Sequence, residues 1–172
     1  MILGMSLSAF TQFHVAISLI GIAAGFIVIF GMLASRTLPL VTALFLLTTA
    51  LTSLTGFLFP FHGVTPGIVI GILSCVILAM ALLARYAGHM SGGWRSTWIV
   101  TAILAQYFNF FVLIVQSFEK VPALHALAPT QKEAPFKIVQ LLALTFFVVL
   151  TILDLRRFRP AGAPGTSALQ TP

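Results

Sequence analysis

Five apolar runs, each about twenty residues long and bounded by prolines, arginines or a Glu-Lys pair, constrain this chain more than any other feature. A hydrocarbon core ~30 Å thick is crossed by about 20 helical residues rising 1.5 Å each. The runs cover about 15–34, ending at Ser35-Arg36, and 40–59, between Pro39 and Pro60. The others cover about 66–84, stopping at Arg85; 98–118, stopping at Glu119-Lys120; and 136–153, stopping at Asp154 and Arg156-Arg157. A bilayer offers no partner for open backbone N–H and C=O groups, so such runs are expected to be helices. The ten-residue alternation of a membrane β-barrel is not visible.

Composition removes the soluble alternative. Only 7% of the 172 residues are charged, 59% are hydrophobic and the mean hydropathy is +1.11. A soluble domain carries roughly 25% charged residues and leaves about a third of its chain surface in water. The expected fold class is therefore all-α, a polytopic transmembrane helix bundle of about five spans. Residues 1–159 form one domain with an outer loop at 119–135, and the Pro/Ala/Gly/Ser-rich tail 160–172 is expected to be disordered. The stretch Met1–Phe13 has no Lys or Arg to serve as a signal n-region, so the first run is expected to be retained.

Basic residues set the expected orientation. Arg36, Arg85, Arg95, Arg156, Arg157 and Arg159 fall on one side, against Lys120, Lys132 and Lys137 on the other. The richer side faces the cytoplasm, which places the N-terminus outside and the C-terminus inside. The formal charge of +6 does not point to nucleic acid, because the arginines sit at the ends of apolar runs rather than on one exposed face. The expected partner is the lipid bilayer. Cys75 is the only cysteine, so no internal disulfide forms.

Helices in lipid associate by close backbone approach and interhelical hydrogen bonds. Gly21 and Gly25 in the first run, and Gly67 and Gly71 in the third, are GxxxG pairs that place two glycines on one face. Ser18 and Ser74 extend those faces, and Thr48, Thr52 and Gly56 make a similar stripe in the second run. These stripes are expected to pack the chain on itself, and a homo-oligomer or a partner membrane protein is their alternative use.

Polar groups at membrane depth are costly and mark places to look for function. Gln106, Asn109 and Gln116 fall within an arc of about 80° on the fourth run. They line a solute path or hold a headgroup, or else bond to backbone and to the threonines of the second run. Asp154 is expected to pair locally with Arg156-Arg157. On the outer side lie His14, His62 and His125. His14 and His62 suit an axial pair for a b-type haem, or a metal site completed by a carboxylate such as Glu119. An ordinary role facing headgroups is the other reading, since no fixed-spacing motif such as HExxH is present. The stretch Val121–Pro129 is expected to form a short helical turn over the outer mouth of the bundle. Thr130 to Glu133 reads as a capping box for the fifth run, with Pro135 favouring a start one or two residues later. There is no Walker A loop, GxGxxG or GxSxG, no catalytic residue is nominated and an enzyme is not expected.

At His14–Ile22, Gly56–His62 and Leu127–Gln131 the chain resembles a family of small, uncharacterised bacterial inner-membrane proteins. The resemblance covers roughly His14 to Arg159 and implies a multi-span protein of the bacterial inner membrane, with no activity or cofactor to carry over. The expected function is a non-enzymatic membrane protein whose outer polar mouth, built from His14, His62, Gln106, Asn109, Gln116 and His125, binds a small ligand, lipid or partner protein. The alternatives are a b-haem electron-transfer subunit using His14 and His62, and a small solute or ion transporter or channel.

Overall fold

Residues 2–60 and 66–160 are described by a computed structural model in which a helix answers each apolar run. In chain order the helices are α1 (Leu7–Leu33), α2 (Pro39–Gly56), α3 (Pro66–Leu82), α4 (Gly93–Lys120), α5 (Pro122–Leu127) and α6 (Ala134–Arg157). A π-helical turn, Leu83–Ala87, continues α3. No β-strand forms among the described residues. All but α5, with α3 counted together with its π-turn, are long and apolar enough to cross a membrane. His62 and the tail beyond Pro160 lie outside the described residues.

Local chemistry sets the ends. α1 starts at Leu7 rather than near Val15, because the Ser6 side chain caps it by accepting from Ala9 N–H at 3.2 Å. Thr11 does not stop it, since its hydroxyl bonds back to Leu7 O at 2.8 Å. α1 closes in a Schellman arrangement, with Ser35 at φ 53°, Arg36 N–H on Gly31 O and Ser35 N–H on Met32 O. Prolines open α2, α3 and α5, where a missing N–H costs nothing. α4 begins at Gly93 and ends at Lys120, longer at both ends than the apolar run. Ahead of α6 the expected capping box does not form. Glu133 itself is the N-cap residue, Ala134 and Pro135 open the helix, and Thr130 stays in the preceding turn.

α4 is the hub, packing on α1, α3, α5 and α6, while α2 bridges α1 and α3. The α1–α2 seam is antiparallel and built from small residues. His14 meets Thr55, Ser18 meets Thr52, and a Cβ at Gly21 would lie 2.9 Å from Thr48 Oγ1. Deeper along α1, a Cβ at Gly25 would run into Gln106 of α4 and lie 2.9 Å from Phe45 of α2. In α3, Gly71 lies under the Phe57 ring, whereas Gly67 is exposed. At mid-depth Phe26, Phe110 and Phe147 join α1, α4 and α6 with ring centroids 5.7–5.9 Å apart. A second, smaller cluster ties α5 down: Leu124 and Ala128 pack with Ile114 and Phe118 of α4 and Ala143 of α6. The short helix therefore lies against α4.

Candidate functional site

The two ends of the bundle differ in chemistry. One holds the start of α1, the end of α2 and the α4–α6 connection. The other gathers the end of α1, the π-turn, the start of α4 and the end of α6, and with them all six arginines of the chain.

At the first end His14 lies two turns inside α1, half-buried against α2. Its Nδ1 is 2.8 Å from Thr55 Oγ1, and the Phe59 ring meets its ring edge-on at 5.1 Å. The hydroxyl of Thr55 gives its one proton to Leu51 O at 2.6 Å, so towards His14 it can only accept. With that hydroxyl turned to Leu51 O, the neutral imidazole donates from Nδ1, and Nε2 has no hydrogen-bond partner among the described residues. This is how a protein fixes a histidine that must accept a proton or coordinate a metal. Ser18 donates to His14 O at 2.6 Å and touches Thr52 at 3.3 Å, extending the polar seam inward.

The nominated residues within the described chain make other contacts or are exposed. Gln106 is 0% exposed, and its Nε2 donates to Ile22 O of α1 at 2.9 Å. Asn109 donates to Thr49 Oγ1 of α2 at 3.1 Å. Both groups bond between helices, to a backbone carbonyl and to a second-run threonine. Gln116 and His125 are exposed. Glu119 is exposed too, and its carboxylate pairs with Lys120 at 2.8 Å. No group of three or more His, Cys, Asp or Glu able to hold a metal occurs among the described residues.

At the arginine end the expected pair between Asp154 and Arg156-Arg157 is absent. Asp154 follows Phe147 and Leu150 and precedes Phe158 on one buried stripe, while both arginines are exposed. Residues two apart on a helix do not face each other, so Arg156 points away. The carboxylate is 0% exposed and neither oxygen has a partner among the described residues. Arg95 instead clamps the end of α6, donating to Leu155 O at 3.2 Å and Phe158 O at 2.8 Å. Ser35 joins it by donating to Arg157 O at 2.8 Å. Arg85 stacks over Trp98, 4.9 Å from the ring centroid. Neither Thr55 nor the Arg85–Trp98 stack was nominated from sequence. Thr55 sits 41 residues from its histidine, and only the α1–α2 register brings them together.

No known family model, curated protein or solved structure matches the chain.

Proposed function

We propose that the chain is a small non-enzymatic protein of the bacterial inner membrane that binds a ligand at its outward-facing His14 end, with His14 Nε2 as the accepting atom. The observation that carries this reading is the Leu51–Thr55–His14 hydrogen-bond chain, which selects the tautomer and leaves one lone pair free. A ligand for such an atom brings an N–H or O–H donor, as a polar solute, a lipid headgroup or a partner protein does. The orientation rests on the arginines at the opposite end, the side expected in the cytoplasm. Gln106 and Asn109 support the role of a scaffold, since both bond between helices.

His14→Asn is the informative variant. The amide nitrogen of asparagine stands near Nδ1 and can still donate to Thr55, while the Nε2 position is lost. The variant is expected to reach the membrane in wild-type amount and to fail in complementing the phenotype of a deletion strain. Full complementation by His14→Asn removes the reading.

The same tether favours one second reading. A backing hydrogen bond at Nδ1 is what an axial haem ligand binding through Nε2 requires. A Soret band in wild-type protein purified in mild detergent from haem-replete cells, lost in His14→Asn, would select a b-type haem subunit over a ligand-binding protein.

A further inference from the structure

At the arginine end the helices leave a recess of about 10 Å³, room for one water molecule or one phosphoryl oxygen. Arg36 from the α1–α2 connection, Thr42 of α2, Arg85 of the π-turn, Trp98 of α4 and Phe158 after α6 contribute to its wall. The geometry points to this recess as a binding site for a phosphate group, supplied by the headgroup of an anionic phospholipid.

Three observations converge on an anion. Arg36 and Arg85 both line the recess, and the only ion pair among the described residues is Lys120 with Glu119 at the opposite end. Neither guanidinium is neutralised by protein. Trp98 is 1% exposed, and its Nε1–H is buried without an acceptor. A dry donor is costly, and an oxygen entering the recess from outside relieves that cost. The third observation is the backbone that presents Arg85. The π-turn closes with Gly88 N–H on Leu83 O at 2.8 Å, and His89 and Met90 follow at φ 49° and 54°, a conformation that side chains disfavour. This irregular turn holds the guanidinium over the Trp98 ring with one nitrogen 3.6 Å from Met90 Sδ, leaving most of its donors free.

Asp154, the one acidic residue at this end, contributes no atom to the wall and stands against six arginines. Lipid is favoured over a soluble anion as the source because Tyr86 and Trp94, both exposed, flank the recess in sequence as headgroup-level aromatics do. Basic pockets between transmembrane helices are known recognition sites for anionic headgroups.

The test uses the full chain in nanodiscs of phosphatidylglycerol or phosphatidylcholine, with native mass spectrometry and thermal midpoint as readouts. Wild type is expected to retain phosphatidylglycerol and to be stabilised by it. Arg36→Gln/Arg85→Gln should bind it about tenfold more weakly, roughly the loss of one charge-assisted hydrogen bond. Arg156→Gln/Arg157→Gln, which removes two exposed arginines outside the recess, should bind as wild type does. Should the double recess variant fail to fold, Arg36→Gln alone suffices, because Arg36 is exposed and makes no interhelical bond. Displacement of the lipid by millimolar inorganic phosphate would keep the phosphate site and make free phosphate its source. Equal losses in the two double variants would mean diffuse surface charge and would overturn the site, as would indifference to lipid charge.

Discussion

Gly25 shows how much one absent carbon can decide. A Cβ there would overlap the Gln106 carboxamide and lie 2.9 Å from the Phe45 ring, so α1 approaches α2 and α4 closely only because residue 25 is glycine. Gly25→Ala is expected to destabilise the bundle by about 1–3 kcal/mol through overpacking. Gly93→Ala, where a Cβ would meet nothing within 4 Å, should be neutral or slightly stabilising. Apparent unfolding midpoints in one detergent compare the two, and equal midpoints would disprove the packing argument. At this scale the sequence was informative about type but not about partner. Gln106 and Asn109 stand out in the sequence as polar groups at membrane depth with two readings open, and the structure gives each an interhelical bond, to Ile22 O and to Thr49.

Helix ends were legible to within a turn or two wherever a proline marks them, and least so at the start of α1, where polar residues sit inside the helix. α1 extends eight residues ahead of the apolar run because Thr11, Gln12 and His14 are accommodated within the helix. Thr11 returns its hydroxyl to the helix backbone, and His14 bonds to Thr55 of α2 through Nδ1 alone. The turn before α6 carries a pH prediction. The Glu133 carboxylate accepts from the Thr130 hydroxyl at 2.8 Å and from the N–H groups of Thr130 and Lys132 at 3.3 and 3.0 Å. These bonds, the Thr130 hydroxyl first, hold its pKa below the ordinary glutamate range. A group depressed on folding stabilises the folded turn above its unfolded pKa and loses that contribution as pH falls through the folded value. Hydrogen-exchange protection of the Thr130 and Lys132 amides should thus be flat above about pH 5 and decline below about pH 4. In Glu133→Gln the decline should vanish. A wild-type profile without it would mean that the carboxylate does not order the turn.

Across the whole molecule, charge is sorted by end. Arginines collect where α1, the π-turn and α6 meet, and Lys120, Lys132 and Lys137 lie at the opposite end with Glu119 and Glu133. Five helices are long and apolar enough to cross a membrane, an odd number, so the two ends of the described chain are expected on opposite sides. Fusion of a phosphatase active only outside the cytoplasm is expected to report at the N-terminus and not after Arg159. A reporter active only in the cytoplasm should give the reverse pattern. The same signal from both ends would break the five-span topology, and an inverted pattern would move His14 to the cytoplasmic side.

Composition and run length alone determined that the chain is a bundle of helices with lipid-facing flanks, because neither a soluble surface nor an open sheet edge is affordable with so few charges. Spacing alone also identified the small-residue faces of α1 and α2. Pairing was beyond it. That His14 meets Thr55 across 41 residues, that Asp154 turns into the core instead of towards its neighbouring arginines, and that Arg85 stacks on Trp98 beside Arg36 are matters of register and helix rotation. In an apolar chain those are set by the mutual fit of side chains on different helices, a long-range property that no single stretch of sequence contains.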